Sequence, residues 1–398
     1  MSLGELIQVS NFGLDIGTTL TPMIGYFTVI SWMIHKVRFR TPFKNYSTIC
    51  FFLIFVVFII LSSVLSRHIL INLYSTSTYL QCGLLMFITE DLCETDKHIN
   101  ALGWVLILSL TFLAFLIIFT RFGIIHGVIH VSKYGRSFGT AGDPNVTSLN
   151  LLTALPFAII YYFSCTGFLK KLFLAISTIM ILLAIFFTAS ISALISLSVI
   201  FLCILILAPQ NVRAQIYLFT FVLVIFAVVT VIRDPRYQAR FFEKTGEIEQ
   251  DNVNSASSGR IPLLIGGSKA LLHHPVIGTG AFMVSKEVGK YSHSRPAVPH
   301  NLLLHVGIEG GILSLLAFIT IIAIAFSRIR QAIDTPRISE GNKMLGKAIF
   351  ISAIGFLTMS ITLSAPKVKY LWILLGMMFA YHDIFSEREE DKSESPPT

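Results

Sequence analysis

The chain reads as an all-α, polytopic membrane protein of about 11–12 transmembrane helices, with one large loop on the outer side. Three observations carry that reading. Of 398 residues, 54% are hydrophobic and only 13% are charged, where soluble domains carry about 25% charge. Mean hydropathy is +0.75. The apolar residues also fall in blocks near the ~20 residues that cross a ~30 Å hydrocarbon core as a helix. A soluble multidomain fold is excluded, because it would lack the charge to cover its surface. The net charge of +8, from 30 Lys and Arg against 22 Asp and Glu, suits a charged membrane face or anionic lipid. No nucleic-acid partner is expected. The five cysteines, Cys50, Cys82, Cys93, Cys165 and Cys203, lie in or beside apolar blocks. They imply no disulfide framework. The start lacks the charged n-region and cleavage site of a removable signal peptide.

Eleven apolar blocks follow in order. An N-terminal section, 1–120, holds blocks at 16–34, 47–65, 69–88 and 102–120. The third is interrupted by Ser75, Thr76, Ser77 and Thr78. A central section, 121–232, opens on an ambiguous stretch, 121–147, that mixes Ile124, Ile125, Val128 and Ile129 with His126, His130, Lys133 and Arg136. It reads as interfacial or re-entrant. Blocks at 148–165, 172–188, 191–208 and 216–232 complete that section. The loop 233–299 is the longest polar stretch. Within it Arg260–His273 reads as a short amphipathic helix, stopped by Pro275 and Gly278. A C-terminal section, 300–382, carries blocks at 302–326, 348–364 and 368–382. The tail, 383–398, with acids Glu387–Glu390 and a Ser-Pro-Pro-Thr end, reads as disordered. The halves share no interrupted helices at matching positions, which weakens a secondary-transporter reading.

Lys and Arg in short loops set orientation. Lys36, Arg38, Arg40, Lys44, Lys170, Lys171, Arg213, Arg328, Arg330, Arg337, Lys343 and Lys347 fall on one face by alternation, the expected cytoplasmic one. The outer face then receives 121–147, the turn Ser364–Lys369 and the loop 233–299. That loop carries many cations, which long loops tolerate regardless of orientation.

The sharpest local signal is the run from Pro299 to Gly311, where a polar loop becomes an apolar helix. Asn301 suits an N-cap. A helix N-terminus carries about half a positive charge, which disfavours imidazolium, so His300 is expected to stay neutral and able to accept a proton. The same terminus favours a phosphate. The blander alternative is that His300 and Asn301 merely cap the helix. His305 and Glu309 stand one turn apart, and Glu309 is the only acid in the apolar block. Intramembrane ionisable groups default to functional candidates, with mutual pairing as the alternative. Arg260, after Ser257-Ser258-Gly259, has the fork to clamp a phosphate, or is simply solvated. Lys367 and Lys369, in a short outer turn, either snorkel to lipid or help to hold an anion. Asp143 and Asn145, in Gly142-Asp143-Pro144-Asn145, form a turn and N-cap. The sequon Asn145-Val146-Thr147 abuts an apolar block and is discounted as a glycosylation site. The pair His273-His274 reads as loop. No acidic pair or His/Cys spacing suggests a metal site.

Together these residues resemble the O-antigen ligase and polymerase superfamily of bacterial membrane glycosyltransferases. Three places carry the resemblance. Gly142-Asp143-Pro144-Asn145 with Leu149–Pro156 is similar to an Asp/Asn-Pro-Asn element before a central helix. Arg260 with Lys269–Gly280 is similar to the Arg, helix and His-Pro-hydrophobic-hydrophobic-Gly-x-Gly run of the family's large outer loop. His300-Asn301-Leu302 through Glu309-Gly310-Gly311 is similar to its His-Asn motif with downstream Glu and Gly.

The resemblance implies a donor in which a glycan is held on a polyprenyl diphosphate. It implies transfer to an acceptor hydroxyl, on lipid A-core or another glycan, with inversion and without metal or cofactor. The catalytic roles then fall on His300 and Arg260. Asn301, Glu309, Asp143, Asn145, Lys367 and Lys369 become candidates for substrate binding. The expected place is the bacterial inner membrane, multi-pass, among membrane lipids, with the site facing the periplasm. One departure is clear. Where the family commonly has Ser-Arg at the outer start of a helix, this chain has Ser190-Ile191. One diphosphate cation is thereby missing, for which Lys367, Lys369, Arg136 or a loop Arg is a candidate replacement. A ligase-like role is favoured over a polymerase with the same donor chemistry. The alternative of another class is a transporter of an anionic lipid-linked substrate.

Overall fold

A computed structural model describes residues 16–39, 46–125, 142–207, 260–292, 297–336 and 338–393, with isolated positions at 137 and between 213 and 238. Most of the block expected at 216–232, most of 233–259 and the cation candidate Arg136 lie outside the described residues.

Among the described residues the chain forms twelve helices, labelled α1 Ile16–Phe39, α2 Tyr46–Leu65, α3 Ile69–Leu92, α4 Asp96–Arg121, α5 Pro144–Ser164, α6 Phe168–Thr188, α7 Ile191–Leu207, α8 Arg260–His273, α9 Val284–Ser292, α10 Leu302–Asp334, α11 Glu340–Ser360 and α12 Lys369–Ser393. The protein is an all-α polytopic membrane protein. Six of these helices, α2, α4, α5, α6, α10 and α11, are long and apolar enough to cross a bilayer, and α7 is a shorter apolar helix. The interrupted block at 69–88 is an unbroken helix, α3. The last helix runs to Ser393, well past 383, where a disordered tail was expected.

Helices are the available solution here, because backbone N–H and C=O groups have no water to turn to in lipid. The sequence also writes the starts. Asp143 caps α5, accepting from the backbone N–H of Asn145 (2.6 Å) and Val146 (3.0 Å), with Pro144 in the first turn. Thr95 caps α4, Asn301 caps α10 and Ser339 caps α11. Pro156, inside α5, removes one donor from that helix's ladder. Close by, Ser352 of α11 donates to the Thr153 carbonyl at 2.9 Å.

α5 is the central helix, buried along almost its whole length, and α6 and α11 pack on it, while α10 packs on α2 and α12 on α3. Between these pairs sits an aromatic cluster. The Phe55 ring meets Tyr79 at 5.1 Å, Phe318 at 5.6 Å and Trp372 at 6.1 Å between centroids. At one end of the bundle Lys36 pairs with Asp91, Arg328 donates to Ser47 Oγ (3.4 Å) and Lys347 donates to the Leu207 carbonyl (3.0 Å). These are cations expected to share one face, and they lie at one end of the bundle. At the opposite end α8 and α9 form a small cap with its own apolar cluster, Leu263, Ala270, Val284, Val288 and Ile308. His273 stacks on Tyr291 at 4.8 Å to hold the two helices together.

The cap is sewn to the bundle by main chain. Between α8 and α9 the Thr279 N–H donates to the Ile308 carbonyl (2.8 Å), Gly280 N–H to Glu309 (3.1 Å), and the Ile312 N–H returns a bond to Pro275 (2.7 Å). These bonds exist because α10 breaks at Gly311, whose φ of 77° and ψ of −177° leave the helical region and free its neighbours for partners outside the helix. A side chain at Gly278, which also has positive φ, would put a Cβ 2.5 Å from the Glu309 carbonyl oxygen. Only glycine permits that approach.

Candidate functional site

Four helix starts meet at the capped end. Asn145, in the first turn of α5, accepts from Ser190 Oγ at 2.8 Å, just before α7. Arg260, the first residue of α8, donates from Nη1 to Ser192 Oγ at 3.2 Å, in the first turn of α7. His300 and Asn301 lead into α10. The charges that bear on His300 are Arg260 and Asp143. Asp143, Asn145, Arg260, His300 and Asn301 are thus brought together from three separate parts of the sequence. The N-termini of α7 and α10 add partial positive charge to the guanidinium, while that of α5 is met by the Asp143 carboxylate. The arrangement can hold an anion.

Ile191 stands where the resemblance led us to expect an arginine. The Arg260 guanidinium reaches the same helix start from the cap, one residue further on at Ser192.

His300 is half-buried, with φ of 50°, a left-handed conformation unusual for a residue other than glycine. Its Nδ1 is buried without a hydrogen-bond partner. Burial holds its pKa below the ordinary histidine range, the Arg260 charge lowers it further and Asp143 pulls it back up. The ring is therefore neutral near pH 7 and free to take a proton. Asn301 fixes the start of α10. Its Oδ1 accepts from the Leu304 N–H (2.9 Å), its Nδ2 donates to the Ile361 carbonyl (3.1 Å), and its N–H donates to Ser364 Oγ (3.2 Å). Every polar group of Asn301 near the loop is spent on positioning.

Glu309 lies elsewhere, fully buried beneath this end. Its Oε1 accepts from Lys367 Nζ at 2.7 Å and lies 3.4 Å from His305 Nε2, and its Oε2 accepts from the Tyr79 hydroxyl. The expected His305–Glu309 contact is present, but Lys367 is the closer partner. The Lys367 ammonium also donates to Ser75 Oγ (2.7 Å) and the Ala281 carbonyl (3.0 Å). All three of its protons are directed at protein oxygens. Lys367 is turned inward, neither reaching for lipid nor presenting itself to the anion site. Lys369, the first residue of α12, is exposed.

Sequence reasoning missed Tyr79, Ser75, Ser62, Ser190 and Ser192. Ser62 donates to the Glu309 carbonyl at 2.6 Å. The signal for Ser75 was present: the polar run that interrupts the third apolar block is the part of α3 that receives Lys367. Tyr79 gave no signal, since an isolated tyrosine in an apolar block is also ordinary core. Among the described residues no three His, Cys, Asp or Glu side chains come together to hold a metal ion.

Residues 176–319 match the family model described as Wzy_C, O-antigen ligase. The matched stretch contains Ile191, Arg260, His300, Asn301 and Glu309, and leaves out Asp143, Asn145, Lys367 and Lys369. No curated protein matches the chain.

Proposed function

We propose that this chain, which matches an O-antigen ligase family model over residues 176–319, is a member of the O-antigen ligase and polymerase superfamily and a metal-independent, inverting glycosyltransferase. In this reading it moves a glycan from a polyprenyl diphosphate to an acceptor hydroxyl at the periplasmic face of the bacterial inner membrane. The acceptor is lipid A-core for a ligase, the favoured role, or another glycan for a polymerase. The observation that carries the reading is the meeting of a neutral, half-buried His300 with Arg260 and the helix starts of α7 and α10.

The chemistry rests on those groups. His300 takes the proton of the acceptor hydroxyl as its oxygen attacks the anomeric carbon. The bond from that carbon to the diphosphate oxygen breaks, and its electron pair leaves on the diphosphate. A single displacement of this kind inverts the anomeric centre. The leaving group is a weak base, so it needs positive charge rather than a proton donor. Arg260 and the starts of α7 and α10 supply it, the α5 start being already met by the Asp143 carboxylate. Asp143, Asn145 and Asn301 hold those starts in place. Glu309 and Lys367 neutralise each other and act as positioning residues: Lys367 anchors the outer turn that also carries Ser364, which holds Asn301. Lys369 is exposed and is left with no role in transfer. The transporter alternative would draw on the Glu309–Lys367 pair, but that pair is saturated with protein partners.

The test is deletion of the gene in its host, with surface-polysaccharide profiling and complementation. Loss of glycan from the core is the expected result for a ligase; core carrying one repeat unit indicates a polymerase. Complementation by His300→Ala at normal protein level would remove His300 from the mechanism.

A further inference from the structure

The cap descends along the side of α10 instead of standing clear of it. A Cβ added at Gly267 would lie 2.8 Å from the Leu304 side chain and 3.0 Å from that of Pro299, and one at Gly307 would lie 3.3 Å from Leu271. Further on, the Ile312 N–H donates to the Pro275 carbonyl at 2.7 Å. From Gly267 to Pro275 the chain therefore travels beside α10 from its first turn to Ile312. After the turn, α9 climbs back, so that a Cβ at Gly266 would lie 2.8 Å from the Val288 carbonyl oxygen. The cap is thus a hairpin whose tip is 275–282.

The spanning helices give that tip a depth. At the far end of the bundle α10 carries Arg328, bonded to Ser47 at the start of α2. Counting about 20 residues back from Arg328, the length that crosses the hydrocarbon core, reaches the boundary on the capped side near Ile308. Thr279 and Gly280 of the tip bond to Ile308 and Glu309. Ala281 meets Ser63, two residues inside the end of α2, and Phe282 meets Asn72, three residues inside the start of α3. At ~1.5 Å of rise per residue, those contacts lie about 3–5 Å below the helix ends.

The tip's backbone also has no use for water. Each N–H from Gly278 to Met283 is taken by a protein oxygen: in order, the His274 carbonyl (3.1 Å), the Ile308 carbonyl (2.8 Å), the Glu309 carbonyl (3.1 Å), Ser63 Oγ (3.5 Å), Asn72 Oδ1 (2.7 Å) and the Gly280 carbonyl (3.1 Å). The Ala281 carbonyl accepts from Ser75 Oγ (2.8 Å) and Lys367 Nζ (3.0 Å). A loop in water does not need such complete pairing, whereas irregular backbone at membrane depth does. The outward side chains agree. Val276 and Phe282 are exposed, at the level of Ile312 and Leu313, which are exposed on a helix long and apolar enough to span.

We propose that the α8–α9 hairpin is re-entrant, with its tip in the acyl region of the leaflet on the capped side. The partner of Val276 and Phe282 is lipid hydrocarbon, continuous with the lipid-facing surface of α10. Ser268 and Lys290, higher on the two arms, stay in the head-group layer or above it. Pro299 packs against Gly267 above the tip, so His300 stands at head-group height. The inference draws on the membrane class of the fold and not on the transfer chemistry.

The experiment uses the full-length protein with its five cysteines replaced by serine, in nanodiscs of phosphatidylethanolamine and phosphatidylglycerol. Spin labels at Val276→Cys and Phe282→Cys are expected to collide more often with oxygen than with a nickel chelate, at a depth of about 5–10 Å below the phosphates. Labels at Ser268→Cys and Lys290→Cys are expected to show the opposite preference. A bimane at 276 or 282 should be quenched by lipid brominated in the upper acyl chain and not by iodide, a second measurement that needs no spin label. Labels at 276 and 282 that favour the nickel chelate as strongly as the label at Lys290 would place the tip in water and overturn the proposal. Protection from both collision probes, with no quenching by brominated lipid, overturns it as well, because a protein surface then covers the tip.

Discussion

At the scale of single residues, His300 is set first by burial and then by two charges of opposite sign. Its pKa lies below the ordinary histidine value of 6.5, and the neutral form is the base, so activity falls as pH drops through that lowered pKa. Arg260→Gln removes a charge that lowers it, so the acid limb of the rate profile moves to higher pH, on top of a slower rate. Asp143→Asn removes a charge that raises it and keeps a good cap for α5, so the limb moves to lower pH. Profiles that shift in the same direction for both variants would contradict the arrangement. His300→Ala is expected to slow transfer by about 10²- to 10⁴-fold, the usual worth of a general base. The buried pair gives a second prediction. Glu309→Ala leaves the Lys367 ammonium without its counter-charge, at a cost of about 3–5 kcal/mol. Glu309→Gln combined with Lys367→Met should melt higher in detergent than either single change, because no lone charge remains. His300, Asn301 and Glu309 could be singled out as candidates because each stands out from its local background, whereas Arg260, one cation among many in its loop, came forward through the resemblance. The Lys367–Glu309 bond was not. Its partners lie 58 residues apart, and a local reading gives a residue's neighbours along one helix but not its partner across the bundle.

Among the elements, the apolar blocks located the helices well, and Asp143 and Asn301 marked two starts to the residue. Block length is a direct consequence of bilayer thickness, so it survives in the sequence. Which helix packs on which does not. Helices that are apolar nearly all round show little preference for a face, and the pairing of α10 with α2 could not be read. Nor could the break inside α10, since Gly310-Gly311 in an apolar block is compatible with a straight helix packed closely on a neighbour. The break matters more than any cap. In Gly311→Ala the new methyl would collide with the Val276 carbonyl in a backbone conformation that alanine resists. The expected result is a large loss of folded protein by size-exclusion chromatography. Gly341→Ala, at a helical position with open space around it, is the matched control and should be neutral or stabilising by up to about 1 kcal/mol.

For the whole molecule, composition settled the class, and three of the cations that set the expected sidedness, Lys36, Arg328 and Lys347, lie at one end of the fold. Labelling tests the absolute direction. After the five free cysteines are replaced by serine, Ser268→Cys, on the exposed face of α8, should react with a membrane-impermeant maleimide in spheroplasts. Gly341→Cys, at the start of α11, should react only after lysis. The reverse pattern would invert the orientation and place the candidate site in the cytoplasm. The seam between cap and bundle has a consequence for how such proteins are compared. Three of its bonds run from main chain to main chain and are indifferent to the side chains along it, while Lys367, Ser75 and Asn72 add side-chain bonds to Ala281 and Phe282. Two chains could differ at the positions joined by main chain alone and still close the cap, provided that the close approaches at Gly278 and Gly311 stay open. Kinship would then show in a few punctuating glycines and in overall shape long after pairwise letters had ceased to agree.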